Sequence, residues 1–380
     1  MATATVTKEP APASAPDASE HELVLVRRGR RTGAHTIVAV HSTVLGPALG
    51  GCRLWRYPSL DEAVEDALRL SSAMTLKAAA AQLPLGGGKA VIFPGPELDL
   101  SGRSREALLD DFADTLNMLD GMYITAEDVG MGAADMDYLA CRSRHVVGAP
   151  TNHGGSGDPG SFTAAGVLAA MRACCDAAFE SAELGARSVA LVGLGHVGEP
   201  LARALAESGA ELVVSDIDTG KRVLASELEA VWLDPADAVR ADVDLLAPCA
   251  LGGVIDETLG VELRARIVCG SANNQLAAPH LADVLAARGI LYAPDFIANS
   301  GGLINVAMEL TGYDRDLALE RIRRIEDVLG AILDHAAVAG VTPYAAAVEL
   351  ATARIAAARA PSAAGPPRPA SAEHLVELAE

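Results

Sequence analysis

The chain has 380 residues, a formal net charge of −20 and 50% hydrophobic residues, enough for two domains that each bury a core. An acidic balance of this size argues against a nucleic-acid or anionic-membrane surface, both of which need basic patches. No uninterrupted apolar run approaches the roughly 18 residues of a membrane-crossing helix.

The first twenty residues are rich in Ala, Pro, Ser and Thr and hold no apolar signal core, so residues 1–20 read as a disordered tail and the protein as cytoplasmic. Residues Glu22 to Arg27 and Thr36 to His41 are β-branched stretches split by a polar, glycine-containing turn, the pattern of two strands. Ser59-Leu60-Asp61-Glu62 opens a helix as a capping box, and Leu60, Ala63, Val64, Ala67 and Leu68 keep helical spacing behind it. That helix carries Lys77 near its end. A flexible glycine loop, Gly86-Gly87-Gly88, then precedes a short strand from Ala90 to Phe93. A helix from about Glu106 to Leu119 leads to a strand from Met122 to Thr125, which runs into Ala126-Glu127-Asp128-Val129-Gly130. The segment from Thr151 to Gly160 holds four glycines and reads as a hinge.

Beyond the hinge, a helix from about Phe162 to Glu180 is followed by the strand Ser188 to Val192. Strands and helices then alternate to about residue 300, the pattern of a parallel, doubly wound sheet. Helices from Asp316 to Ala358 close the folded part. The fold class expected is α/β in two domains: a substrate domain over 21–150 completed by C-terminal helices at about 331–356, and a Rossmann domain over 151–330. Residues 357–380 read as a second, largely disordered tail. The six cysteines form no C-x-x-C pair and the nine histidines show no metal spacing, so free thiols and no metal are expected.

Lys77 and Lys89 lie twelve residues apart around the glycine run in a chain poor in lysine. A lysine anchors a carboxylate as a point charge, and it serves as a general base once burial or a neighbouring cation disfavours its charged form. Two in one site can divide those tasks. Asp128, at a strand end before a glycine, is either a turn former or an acid that exchanges protons with a substrate amine.

Gly193-Leu194-Gly195-His196-Val197-Gly198 is a G-x-G-x-x-G between a strand and a helix. The first glycine permits the turn, the second lets backbone approach a pyrophosphate, and the helix N-terminus receives the negative charge. The next strand, Glu211 to Ser215, ends in Asp216, placed to bond a ribose 2′-hydroxyl. A carboxylate there favours NAD over NADP. Asp218 could substitute or assist, and Lys221 or Arg222 could instead receive a phosphate.

Together these segments resemble the glutamate/leucine/phenylalanine/valine dehydrogenase family over about residues 23 to 355, most of all its branched-chain members. The blocks that carry the likeness are Gly46 to Arg53, Lys77 to Lys89, Thr125 to Gly130, Ala247 to Gly253, Gly270 to Gln275, Tyr292 to Phe296 and Asn299 to Val306. The resemblance implies an NAD-dependent amino-acid dehydrogenase and a homo-oligomer, with an amino acid, its 2-oxo acid and ammonia as ligands. It implies that Lys77 binds the α-carboxylate, Lys89 activates the water that attacks the iminium left by hydride transfer, and Asp128 moves protons to and from the amine. Thr163 and Asn273 or Asn274 would line the nicotinamide, and Cys249 and Ala250 would lie against the cofactor, although Cys249 reads equally well as a core thiol.

The same resemblance puts Gly50 at the substrate, and Leu49, Ala126, Leu303 and Val306 around its side chain. Glutamate-specific members carry a lysine where this chain has Leu49. A leucine leaves a second carboxylate unpaired, which is costly in a buried pocket, so a branched aliphatic side chain is expected; leakage among such substrates follows because a methylene is worth only about 1–3 kcal/mol. Ala78, Gln82 and Pro84 stand where the family usually has Asn, Gly and Asn, and Met131 stands where it usually has Thr. The competing readings are a non-catalytic NAD-binding regulator and a dehydrogenase for an aromatic amino acid. A hydroxy-acid dehydrogenase would need a His–carboxylate pair and an Arg clamp, which the sequence does not offer.

Overall fold

The computed structural model describes residues 18–359, and the tails expected at the two ends otherwise lie outside the described residues. At their edges the tails give way to structure: Ala18–Glu20 is a 3-10 turn, and residues 357–359 complete the last helix. The chain divides into two compact units. One comprises residues 18–159, Leu303–Leu319 and residues 348–359; the other comprises Gly160–Gly302 and Glu320–Ala347.

The first unit is built on a five-stranded sheet. Its strands are β1 (Leu23–Arg28), β2 (His35–Ser42), β3 (Ala48–Leu54), β4 (Gly86–Phe93) and β5 (Tyr123–Glu127), in the order β1-β2-β4-β3-β5. β1 and β2 form the expected hairpin, with β2 antiparallel to β4, while β3 runs parallel to both β4 and β5. Helix α1 (Leu60–Ala80) covers one face and packs Ala63, Ala67 and Leu68 on Ile37, Ala39 and Val91. Helix α2 (Gly102–Leu119) covers the other through Leu108, Leu109, Phe112 and Leu116, against Val38, Cys52, Ala90 and Tyr123. As expected, Ser59 caps α1, its hydroxyl accepting from the Glu62 N–H at 3.2 Å.

The glycine run is not a loop. Gly86, Gly87 and Gly88 open β4 and are buried in the sheet. A methyl group on Gly86 would lie 1.9 Å from the Ser42 carbonyl oxygen, one on Gly87 2.1 Å from the Thr75 nitrogen of α1, and one on Gly88 2.6 Å from the Tyr123 ring. Three elements close on one stretch of backbone, so the glycines serve close approach rather than flexibility. β3 was not foreseen either, because its two glycines hide the apolar alternation.

The second unit carries a six-stranded, all-parallel sheet: β6 (Ser188–Val192), β7 (Glu211–Ser215), β8 (Val231–Trp232), β9 (Leu245–Pro248), β10 (Ile267–Val268) and β11 (Leu291–Tyr292), in the order β11-β10-β9-β6-β7-β8. This is the expected doubly wound arrangement. After the short α3 (Ala133–Ala140), helix α4 (Gly160–Phe179) crosses the unit as a core helix. By length and composition α4 is apolar enough to cross a membrane, but Arg172 and Asp176 interrupt it, and its Gly166 abuts Ile325 and Gly301.

The C-terminal partition differs from the expected bounds. The helix Ile325–Ala339 and its continuation to Ala347 stay with the parallel sheet: Ile325 packs at Gly166, and Tyr344 meets Phe296 edge-on at 6.0 Å. Instead, Leu303–Leu319 and residues 348–359 complete the first unit. Glu309 accepts from the backbone N–H groups of Gly148 (3.0 Å) and Ser156 (2.7 Å), and Arg354 caps the Ala79 carbonyl at the end of α1 (2.9 Å). These tethers join residues more than a hundred positions apart, which local patterning cannot reveal.

Helix α1 ends in a Schellman motif, with Leu83 N–H bonded to Ala78 O at 3.0 Å and Gln82 N–H to Ala79 O at 3.1 Å. Gln82 sits at the left-handed position with φ 57°, where glycine carries no Cβ penalty. Gln82→Gly is therefore expected to stabilise the protein by about 1 kcal/mol, raising the thermal midpoint by roughly 2–4 °C. A calorimetric scan showing an unchanged or lower midpoint would contradict this reading of the turn.

Candidate active site

The glycine contacts set the geometry of the first unit's site. Because α1 descends onto Gly87 at Thr75, its last turn, with half-buried Lys77, lies beside the start of β4. Strand alternation puts Gly87 and Lys89 on this α1-facing side. Leu49 is in register with Gly87, and Ala126 with Gly51, on the same side. Gly50 closes against β4 so tightly that a methyl group there would meet the Gly88 carbonyl oxygen at 1.8 Å. Leu49, Ala126, Leu303 and Val306 are all buried apolar residues of this unit.

Lys89 is only 5% exposed. Its Nζ lies 2.8 Å from Asp128 Oδ2, just past the end of β5. The same oxygen accepts from Arg53 Nε at 2.9 Å, while Arg53 Nη1 donates to Asp66 Oδ2 at 2.8 Å. Asp66, on α1, also accepts from Arg69 at 2.7 Å and from the Tyr57 hydroxyl. Burial works to raise the Asp128 pKa, but the charges of Lys89 and Arg53 outweigh it and hold the carboxyl down at about 2. Three cations, Lys89, Arg53 and Arg69, thus meet two carboxylates in a chain of net charge −20. Local positive excess of this kind suits an anionic guest.

On the second unit, the fingerprint residues gather at the C-terminal ends of the parallel strands, where doubly wound sheets bind ligands. Gly193 adopts φ +105°, and a methyl group on it would meet Ala250 at 2.8 Å; one on Gly198 would meet Gly193 O at 1.8 Å; beside Gly195 nothing lies within 4 Å. The first and third glycines are thus dictated by packing, and the second leaves an open cradle of the kind a dinucleotide pyrophosphate fills. His196 is exposed and Val197 half-buried on the same turn, which leads into α5 (Gly198–Glu207). Asp216 closes the turn from β7, its Oδ2 accepting from Leu194 N–H at 2.6 Å and its Oδ1 from Asp218 N–H at 2.8 Å.

The β9 and β10 loops adjoin this turn. Cys249 N–H bonds to Val192 O at 2.8 Å, and burial pushes the Cys249 thiol up to about 11, partly opposed by hydrogen bonds with Ser271. Asn273 accepts from Asn299 at 2.8 Å, and Asn274 takes φ 51° with its carbonyl bonded to Gly253 N–H at 2.6 Å. Thr163 sits half-buried in the first turn of α4, where a methyl group on Gly301 would lie 3.2 Å from its Cα.

Two family models match the chain, one described as the Glu/Leu/Phe/Val dehydrogenase dimerisation domain over residues 22–145 and the other as glutamate/leucine/phenylalanine/valine dehydrogenase over residues 214–362. The chain belongs to this dehydrogenase family. It is 43% identical over 339 residues to leucine dehydrogenase from Geobacillus stearothermophilus, covering 88% of this chain and 91% of the relative. It is likewise 43% identical over 349 residues to valine dehydrogenase from Streptomyces albus, covering 90% and 94%. The crystal structure of L-tryptophan dehydrogenase from Nostoc punctiforme superposes with a TM-score of 0.78 at 37% identity, covering 90% of this chain and 97% of that one. The protein is therefore an amino-acid dehydrogenase acting at a CH–NH2 group with a pyridine nucleotide.

In this dehydrogenase Lys89 and Asp128, expected at one site, meet in an ion pair. Arg53 stands out in the sequence only as the end of a glycine block, and Asp66 and Tyr57, which the fold brings to it, carry no local signal. The sequence offers one signal that could have found Arg53: a charged residue in alternation with Gly51 and Leu49.

The sign of the Asp128 effect on stability follows from its folded pKa, which is depressed below the ordinary value of 3.8. Its contribution is fully present above about pH 4 and is lost as the pH falls through about 2; by linkage a shift of this size corresponds to roughly 2 kcal/mol. Wild type should accordingly exceed Asp128→Asn in stability at neutral pH, with the gap narrowing steadily below pH 4. Denaturant titrations showing a gap independent of pH would contradict the pairing.

Proposed function

We propose that this protein is an NAD-dependent branched-chain amino-acid dehydrogenase that interconverts an aliphatic L-amino acid with its 2-oxo acid and ammonia. The observation that carries this reading is a buried Lys89–Asp128 ion pair on the sheet face that also presents Leu49. Leu49 is 1% exposed and offers no partner to a second carboxylate. Ala126, Leu303 and Val306 are buried apolar residues of the same unit, which supports a branched aliphatic guest, and the similarity to leucine and valine dehydrogenases points the same way.

In this mechanism Lys77 holds the α-carboxylate, and the backbone at Gly50 lies alongside the substrate. Asp128, ionised and acceptor-only, takes the proton that the substrate amine gives up. A nicotinamide held by the second unit would supply the acceptor for the hydride that leaves Cα. Once Lys89 has released its ammonium proton to solvent, it takes a proton from the water that attacks the resulting iminium carbon; Asp128 then returns the amine's proton to the nitrogen, which leaves with the hydroxyl proton as ammonium, and the carbonyl of the 2-oxo acid forms. The cofactor would be held by Gly193, Gly195, His196, Val197 and Gly198 at the pyrophosphate and by Asp216 at the ribose, with Thr163 and Asn273 or Asn274 lining the nicotinamide and Cys249 and Ala250 lying against the cofactor.

The preference for NAD rests on charge. Asp216 would repel a 2′-phosphate, and the basic groups nearby are engaged: Lys221 Nζ pairs with Glu199 at 3.0 Å, and the Arg222 guanidinium lies over the Trp232 ring at 5.2 Å. The dimerisation-domain match supports a homo-oligomer, and its relatives support a soluble cytoplasmic enzyme.

An absorbance assay of NADH formation tests this reading with valine, leucine, isoleucine, phenylalanine, tryptophan and glutamate, each with NAD and NADP. An aliphatic substrate with NAD should give the highest kcat/KM, and glutamate should fall at least about a hundredfold lower. A preference for an aromatic substrate or for NADP would overturn the specificity, and NADH binding without turnover on any amino acid would overturn the catalytic reading.

A further inference from the structure

We propose that Arg53 is a positioning residue for amine-proton transfer: with Lys89 it clamps Oδ2 of Asp128, so that the carboxylate stays ionised and presents Oδ1 to the substrate amine. This rests on the proposed role of Asp128 and deepens it. Both cation contacts fall on Oδ2, Lys89 Nζ at 2.8 Å and Arg53 Nε at 2.9 Å, leaving Oδ1 as the acceptor for a third donor. A carboxylate held at one oxygen by a single flexible lysine can still swing about that contact. A second, rigid donor removes that freedom, which matters because proton transfer requires heavy atoms within about 3.2 Å.

Arg53 is itself immobilised. Its planar fork spans two carboxylates, Nε on Asp128 and Nη1 on Asp66 at 2.8 Å, and Asp66 is pinned in turn by Arg69 and Tyr57. A lysine at position 53 could supply the charge but has no fork to reach both acids. Gly51 makes the arrangement possible, since a methyl group there would lie 2.8 Å from Asp128 Cβ. The groups that set the ionisation of Asp128 are therefore Lys89 from β4, Arg53 from β3, and Asp66, Arg69 and Tyr57 behind Arg53. Cys52 on β3 and Tyr123 on β5 are also coupled to Asp128 electrostatically, and burial together with that coupling raises the pKa of each. Arg53, although burial opposes its charge, is held protonated by Asp128 and Asp66, and Asp128 is held well below the usual carboxylate range.

The test compares wild type with Arg53→Met and Arg53→Lys on the best amino-acid substrate, measuring kcat, KM, NADH binding and the pH dependence of kcat/KM. Arg53→Met should lower kcat by about tenfold or more, leave NADH binding unchanged, and move the acidic limb to higher pH by about one unit. Arg53→Lys should recover part of the rate and part of the pH shift. A Met variant with a wild-type rate and pH profile overturns the proposal, as does a Lys variant no better than Met. Should Arg53→Met fail to fold, Asp66→Asn keeps the guanidinium but weakens its rear anchor, and a smaller fall in kcat with KM and NADH binding unchanged is then expected; an unchanged kcat overturns the proposal there too. An inactive wild type would instead overturn the catalytic reading itself, so the two failures are distinguishable.

Discussion

A lysine buried in the middle of a sheet is the constraint around which the first unit is arranged. An ammonium at 5% exposure needs a counter-charge in contact, and Asp128 supplies it from the end of the neighbouring parallel ladder at 2.8 Å. Breaking such a pair by removing one partner typically costs about 3–5 kcal/mol. Bringing the two charges together needs β3, β4 and β5 in close register and α1 pressed onto β4. The glycines at 50, 51, 86, 87 and 88 permit both. The same packing that places the cation also puts Leu49 and Ala126 on its side of the sheet and brings the turn carrying Lys77 nearby.

The second unit follows a simpler logic. The features proposed to hold the cofactor are local in sequence: a strand, a tight turn, a helix, and an acid at the end of the next strand. Each glycine of the turn has a separate physical reason, since a side chain at Gly193 or Gly198 would strike neighbouring backbone or Ala250, whereas Gly195 borders open space. Locality explains why this turn is legible in the sequence, and why the strands Ser188–Val192 and Glu211–Ser215 have the bounds expected of them.

The first unit was legible in its residue types and less so in its geometry. Lys77, Lys89 and Asp128 stood out by chemistry, but a run of three glycines reads as a loop until the elements pressing on it are known. Arg53, Asp66 and Asp128 lie on β3, on α1 and beyond β5, and only the folded sheet brings them into one network. The C-terminal partition was obscured for the same reason: Glu309 and Arg354 bind backbone groups of distant segments, and no periodicity marks such tethers. The left-handed Gln82 was visible as a departure from the family pattern, but its energetic meaning required the helix-ending turn in which it sits.

The central claim is that Lys89 and Asp128 act as one catalytic unit. A double-mutant cycle on kcat/KM tests it most directly, using Lys89→Met, Asp128→Asn and the combined variant, with NADH binding as the control for folding. Groups that work as a unit are strongly non-additive, so the double variant should lie within about threefold of the worse single variant. Losses that multiply, each substitution exacting its full factor in the presence of the other, would contradict the account.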